Sequence, residues 1–386
     1  MKKKNVCVVV NSRANYGRIK SLLKEIKKSK KLNLQLVVGA SAMLYRYGSV
    51  DKIIKKDGFK ILAEVHSIVE GENLISMTKS LGLTVIELSN IFEKIKPDVV
   101  VVVADRYENL AIGIVASYMN IFLAHIQGGE TSGSIDEKVR HAITKFSDIH
   151  FPATNRSKQF IIKMGEHKNN VHNVGCPSLD ILKTLNLNLE KNFFNKFGTG
   201  NFIDFKNDYI TVLQHPVTTE YKSSKFQITQ TIKAVKNFHK KTKTKILWLW
   251  PNIDAGSDIF SKELRSFKEK KDINYVQFVR NFTPENYLKV LKNSKMIVGN
   301  SSSGIRESSY LGVPAVNIGN RQANRELGGN VENASYDHED IFRAMIKQYG
   351  KKIKKSNLYG KGDAAKQICK ILLKSNLKLK NKLNYV

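Results

Sequence analysis

"IKPDVVVVVADRYENLA", residues 95–111, is the stretch on which the architecture turns. Pro97 cannot continue a helix, because its ring excludes the preceding turn and it has no N–H to donate. The five valines that follow form a β-branched run apolar on both faces, as in a strand buried at the centre of a parallel sheet. Asp105 and Arg106 come directly after it, where ligands of such sheets are held.

Outward from this strand, apolar runs alternate with amphipathic segments. Strands are expected at Val6 to Val10, Leu34 to Ala40, Asp98 to Val103, Ile121 to Ile126, Ile149 to Ala153 and Val171 to Val174. Helical periodicity fills the gaps in "RIKSLLKEIKK", "LISMTKSLGLTVIELSNIFEKI", "NLAIGIVASYM" and "DEKVRHAITKF". Around residues 184 to 207 the rhythm lapses into a connector, then restarts with "YITVLQH", "KILWLWPN", "YVQFV", "KMIVGN" and "PAVNIG". The fold class is therefore α/β, with two Rossmann-like doubly wound domains facing each other across a cleft. The expected bounds are 1–183 for the first domain and 205–350 for the second. A helical tail over 351–386 would pack back on the first domain, and helix is expected from Ser335 on.

Composition bounds the function. With 41% hydrophobic and 25% charged residues, the chain is that of a soluble globular protein. The formal charge of +30 raises the question of nucleic acid or anionic membranes. The lysines are scattered in short runs without interleaved aromatics, however, so neither partner is expected and the charge reads as a solvated surface. Cys7, Cys176 and Cys369 are far apart with no CxxC pair, which argues against a disulfide framework or a zinc site. The apolar stretch after the basic start is too short for a signal peptide, and no segment is long enough to span a bilayer, so the expected location is the cytoplasm.

The strand ends carry the chemistry. "NSRANYGR" places Arg13 after the first strand, and "QGGETSGSIDE" places Gln127, Glu130 and Asp136 around two glycines. In the second half, "YITVLQHPVTTE" leads to His215, "LWLWPNIDAGS" to Asn252 and Asp254, and "MIVGNSSSGIRE" to Ser301, Ser302, Ser303, Gly304 and Glu307. Serine hydroxyls and a glycine at a helix N-terminus suit a phosphate, and Glu307 suits a diol such as ribose. Other readings stay open: the serines as a helix cap, Arg13 and Arg106 as surface ion-pair partners, His125 and His141 as core histidines, and Asp136 with Glu137 as first-turn charge.

These motifs resemble the hydrolysing UDP-N-acetylglucosamine 2-epimerases, a family that includes bacterial sialic-acid pathway enzymes and the epimerase half of the animal bifunctional epimerase/kinase. The resemblance runs in order through "SRANYG", "VEGEN", "ADRYENLA", "AHIQGGETSGSIDEKVRHAITK", "MGE", "GCPSLD", "LQHPVTTE", "PNIDAGS", "GNSSSGIRE" and "NRQANRELGGNV". It implies a glycosyltransferase-B-like fold, UDP held mainly by the second domain, and conversion of UDP-GlcNAc to N-acetylmannosamine and UDP. It implies no cofactor, neither metal nor nicotinamide, and a homodimer or homotetramer. Asp105, Glu130, Asp136 and His215 are then the catalytic candidates. Arg13, Arg106, Gln127, Asn252, Ser301, Ser302, Gly304, Glu307 and Arg321 are the substrate-binding ones. The chain departs from the family at Asn15, often Asp; at Ala104, often Gly; at Ala42, often His; and at Gln127, which stands where a catalytic Glu is proposed and cannot act as a base. Alternatives are a hydrolysing epimerase for a diacetamido-trideoxy hexose, a glycosyltransferase of the same fold, and a nucleotide-sugar sensor without turnover.

Overall fold

The computed structural model describes residues 3–379 except 72, 201, 205, 206, 252, 253 and 271. Its residues form two compact units: Met1–Glu130, Ile135–Thr184 and Tyr359–Val386 in the first, and Thr131–Ser134 with Leu185–Leu358 in the second.

In unit 1 the chain alternates β1 (Lys4–Val10), α1 (Arg13–Lys28), β2 (Leu32–Gly39), α2 (Val50–Lys56), β3 (Ala63–Val65), α3 (Leu74–Ile95), β4 (Val99–Val103), α4 (Tyr107–Tyr118), β5 (Phe122–Ile126), α5 (Asp136–Phe146), β6 (Ile149–Phe151) and α6 (Asn155–Lys163). The strands are parallel in the order β3-β2-β1-β4-β5-β6, so the direction of winding reverses between β1 and β4. The valine run is central, paired on both sides. Its alternation splits the core: Val99, Val101 and Val103 pack towards α1 and α2, while Val100 and Val102 pack with Phe92, Ile112 and Ile143 of α3, α4 and α5. This period-two sorting onto two helical layers is the doubly wound arrangement expected.

Unit 2 repeats the scheme with β7 (Thr199–Gly200), β8 (Tyr209–Leu213), α7 (Ser224–Thr242), β9 (Lys245–Leu249), α8 (Ser257–Lys268), β10 (Val276–Val279), α9 (Pro284–Asn293), β11 (Ile297–Gly299), α10 (Glu307–Leu311), β12 (Ala315–Ile318), β13 (Val331–Ala334) and α11 (His338–Gln348). The order is β13-β12-β11-β8-β9-β10-β7, with β7 antiparallel to β10 at the edge and the reversal between β8 and β11. Phe238, Phe267 and Met345 of α7, α8 and α11 cover one face. On the other, Val290 of α9 is joined by Phe193 and Phe194 of the connector. The connector is thus not a passive linker: it supplies β7 and an aromatic cluster in which Phe193, Phe197 and Phe282 lie within 6.1 Å of one another.

The final helix, α12 (Ala364–Lys374), belongs to unit 1. Ile368 and Leu372 enter the α1 side of the core, and the Asp180 carboxylate accepts from the Ala364 and Ala365 N–H groups at 3.0 and 2.8 Å, which caps the helix. Four expectations need correcting. Val171–Val174 forms no strand, only one bridge from Val171 to His150. Strands β3 and β13 were not anticipated. The stretch after Ser335 is not continuously helical, since residues 349–363 separate α11 from α12. Serine 301 does not open a long helix either, as taken up below.

Candidate functional site

In unit 1 the loops after β1, β4 and β5 surround the point where the sheet reverses. Three asparagines tie these loops together. The Val103 carbonyl accepts from Asn109 Nδ2 at 2.6 Å and from Asn15 Nδ2 at 3.4 Å, and Asn11 Nδ2 donates to Asn109 Oδ1 at 3.1 Å. An aspartate at 15 could not make that donation, which gives the departure from the family pattern a structural reason. Ala104 and Gln127 stand just past β4 and β5 with φ of 61° and 64°. This is left-handed backbone, uncommon for residues with a Cβ, so the turn at 104 favours the glycine the family often carries.

Asp105 meets Arg140 of α5. The Asp105 carboxylate accepts from Arg140 Nε at 2.9 Å and from Nη2, while Nη1 donates to the Glu130 carbonyl. Arg140 is 1% exposed. Burial works against its charge, but the Asp105 and Glu130 carboxylates outweigh it and hold the guanidinium above its ordinary pKa. Asp105, Glu130 and Arg140 are therefore one charged cluster, with Asp136 acting on it from the first residue of α5. Arg140 was missed in the sequence, although it lies one helical turn from Asp136.

Several neighbours have structural duties. Arg106 engages Glu108 with both arms of a fork, Nε to Oε2 and Nη2 to Oε1, each at 3.1 Å. Two of its nitrogens are thus engaged in a buried internal pair, in place of the surface ion pair that was the other reading. His125 is fully buried, with Nε2 3.0 Å from the Ala104 carbonyl and Nδ1 3.2 Å from Thr144 Oγ1. Desolvation first, then neighbouring positive charge, pushes its pKa down to about 3. It is a neutral core histidine. His141 is half-exposed, 3.7 Å from Glu137. Gln127 is fully buried and donates to Cys176 Sγ at 2.7 Å, and that sulfur lies 3.0 Å from Ser178 Oγ. Arg13 is the first residue of α1, which Ser12 caps by accepting from the Asn15 N–H at 3.2 Å.

Unit 2 holds its reversal point differently. Asn300, after β11, spans to the loop after β8: its Oδ1 accepts from the His215 N–H at 2.7 Å and its Nδ2 donates to the His215 carbonyl at 2.8 Å. The Asn300 carbonyl accepts from Arg321 Nη1 at 3.2 Å and Gln322 Nε2 at 2.8 Å. His215, Asn300 and Arg321 are thereby one connected group. Glu220 adds a second tie, accepting from Gln227 Nε2 at 2.7 Å and Asn320 Nδ2 at 3.3 Å. The Thr131–Ser134 segment is part of this unit: the Gly133 N–H donates to the Arg321 carbonyl at 3.3 Å, and a Cβ at 133 would sit 1.9 Å from the Asn320 carbonyl oxygen.

Ser301 caps only a single 3-10 turn, Ser302–Gly304, its Oγ accepting from the Ser303 N–H at 3.4 Å, and α10 behind it has five residues. The helix-dipole argument for a phosphate at these serines is therefore weak. What remains is a cluster of hydroxyls and N–H groups beside the Asn300 clamp. Gly304 is not required by sterics, since a Cβ there would make ordinary contacts at 3.5 Å to Ile297 and 3.7 Å to Ala315. Glu307, 9% exposed, opens α10. Asn252 lies outside the described residues.

Among the described residues no group of three or more His, Cys, Asp or Glu is arranged to hold a metal ion, and no helix is long and apolar enough to cross a membrane. All three cysteines are free and buried.

The chain matches the family model "UDP-N-acetylglucosamine 2-epimerase" over residues 24–373. It is 33% identical over 373 residues to the UDP-N,N'-diacetylbacillosamine 2-epimerase (hydrolyzing) of Legionella pneumophila, covering 96% of each chain. It is 31% identical over 344 residues to the UDP-N-acetylglucosamine 2-epimerase of Neisseria meningitidis, covering 89% of this chain and 86% of that one. The crystal structure of the Methanocaldococcus jannaschii UDP-GlcNAc 2-epimerase in complex with UDP-GlcNAc and UDP superposes with a TM-score of 0.79 at 20% identity, over 96% of this chain and all of that one. Two doubly wound sheets, polar clusters at both reversal points and a family match along most of the length lead to one conclusion: the chain belongs to the UDP-N-acetylglucosamine 2-epimerase family.

Proposed function

We propose that the protein is a hydrolysing 2-epimerase that converts UDP-GlcNAc and water into N-acetylmannosamine and UDP, a product suited to sialic-acid biosynthesis. The C2 hydrogen of the sugar is not acidic, so the C1–O bond breaks first and its electron pair leaves with the UDP β-phosphate. The oxocarbenium character left at C1 acidifies C2. A carboxylate takes that proton to give 2-acetamidoglucal, and water then adds at C1 while a proton returns to the opposite face of C2.

Stabilising the leaving diphosphate is the largest demand. Arg13, His215, Ser301 and Ser302 are assigned to it, with Arg321 and Glu307 on the rest of the nucleotide. The observation that carries the reading is the Asp105–Arg140–Glu130 cluster, which gathers carboxylates about a buried cation at a strand-end reversal. Asp105 is engaged by two nitrogens of Arg140, so Glu130 and Asp136 are assigned the proton transfers and Asp105 the orientation of Arg140. Incubation with UDP-GlcNAc in deuterated water tests the reading: UDP and N-acetylmannosamine carrying one deuterium at C2 are expected, and absence of both products refutes it.

A second reading is a 2,4-diacetamido-2,4,6-trideoxy hexose linked to UDP. It is favoured by the diacetylbacillosamine epimerase of Legionella among the relatives and by Ala42, fully buried where the family often has His. Ranking a panel of nucleotide sugars by kcat/KM decides between the two.

A further inference from the structure

Between α9 and the turn after β11, unit 2 carries a chain of three hydroxyls. Tyr287 of α9 places its OH 2.5 Å from Ser303 Oγ, and Ser303 Oγ lies 3.0 Å from Ser301 Oγ. The Ser303 N–H also donates to Ser301 Oγ, at 3.4 Å. The fold fixes the tyrosine from two sides. Thr283 caps α9 by accepting from the Asn286 N–H at 3.3 Å and Pro284 opens the helix, while the Tyr287 ring packs against the cluster of Phe193, Phe194 and Phe282.

A hydroxyl has one proton to give and two lone pairs to accept with, so the sense of the chain matters. A phenol is more acidic than an alcohol and is the better donor. Tyr287 therefore donates to Ser303, and Ser303 donates to Ser301. Ser301 Oγ then accepts twice, from the O–H and from the N–H of Ser303, and has only its own proton left to offer. Ser303, the middle link, is 8% exposed and shielded from competing water, whereas Ser301 at the open end is half-buried. Hydrogen bonds in such a series polarise one another, so the last O–H is the stronger donor for it. Without the tyrosine hydroxyl, Ser301 is free to turn its proton inward to the Ser303 oxygen and to show a lone pair to an approaching anion.

We propose that Tyr287 is a positioning residue that, acting through Ser303, fixes Ser301 as a hydrogen-bond donor to a phosphate oxygen of the leaving diphosphate. This rests on the assignment of Ser301 to that diphosphate in the proposed function. Calorimetry of UDP binding to the full chain tests it with Y287F, S301A and the Y287F/S301A double variant, melting temperatures serving as the control for folding. Y287F keeps the ring and loses only the hydroxyl, and should raise the dissociation constant about five-fold, while S301A raises it at least about ten-fold. The double variant should match S301A within about two-fold, since a hydroxyl that works through Ser301 has nothing left to work on; independent effects would instead multiply to about fifty-fold. In turnover of UDP-GlcNAc, Y287F should lower kcat about five-fold with KM within about two-fold of wild type, because the donor counts most as charge builds on the departing phosphate. UDP binding unchanged by Y287F or by S301A, losses that multiply in the double variant, or a raised KM at unchanged kcat overturns the relay and leaves the proposed function standing. The expected binding cycle in a protein that turns over no UDP-GlcNAc does the reverse, and a wild type that binds no UDP overturns both.

Discussion

Replacing Asp105 by asparagine removes one charge from a pair whose other member cannot reach water. Arg140 is 1% exposed and donates two hydrogen bonds to one Asp105 oxygen, with the Glu130 carbonyl accepting from its third nitrogen. Removing one partner of a buried ion pair strands the other at a cost of about 3–5 kcal/mol. Asparagine keeps an acceptor and Glu130 keeps some opposing charge, so Asp105→Asn should cost about 3 kcal/mol, near the lower end of that range. For a unit of this size the loss appears as a fall in melting temperature of roughly 6–12 °C, followed by circular dichroism. The compensated double variant, Asp105→Leu with Arg140→Met, removes both charges together and should recover at least half of the loss. Its UDP release from UDP-GlcNAc should stay at background, because Arg140, which holds the Glu130 backbone in place, is gone with Asp105. An Asp105→Asn protein melting within about 2 °C of wild type would refute the view of Arg140 as a cation dependent on this partner.

Other expectations follow from the same geometry. His125 is held near pKa 3, below its unfolded value of 6.5, so the unfolded chain takes up a proton that the folded chain refuses, and stability is lost as pH falls from 6.5 towards 3. The loss between pH 7 and pH 5 is about 2 kcal/mol, and urea titrations of His125→Gln should show a correspondingly flatter acid limb. Gln127→Glu sets a carboxyl in a closed pocket beside Cys176. Desolvation raises its folded pKa, so the variant should be near wild type at pH 4 and destabilised by about 2 kcal/mol at pH 8, with no gain in turnover. Higher activity at pH 7 would show that the side chain works outside that pocket. Asn300→Ala strips partners from the His215 N–H and carbonyl, and calorimetry should find UDP binding weakened at least about ten-fold. Glu220→Ala, which unties Asn320 from Gln227, should weaken it by a smaller factor.

Much of the fold was legible because local and long-range signals agreed. Pro97 follows a periodic run, so α3 was read at its observed limits, where the structure adds a capping box of Asn73 with Ser76. The valine run could be only a central strand. The short edge strands escaped because "AEV" and "VENA" expose Glu64 and Asn333 and offer no apolar alternation to read. Val171–Val174 misled in the other direction, since Val171 and Val174 are buried without a ladder. At the candidate site, the rule that ligands gather past strand ends singled out Asp105, Glu130 and His215. It could not reveal Arg140, which reaches the cluster from a helix, nor the asparagine ties, whose partners are backbone groups made adjacent only by the fold. Nor could it show that the helix after Ser301 stops after one turn and five residues, because Gly312, with φ of 71°, and Pro314 end it early.

The return of α12 to unit 1 has a consequence for biosynthesis. Synthesis runs from the amino end, so unit 2 emerges whole from the ribosome while the α1 flank of its predecessor still lacks Ile368 and Leu372. The part made first is finished last, and nascent chains halted before residue 364 should bind chaperones through the bare flank of α1.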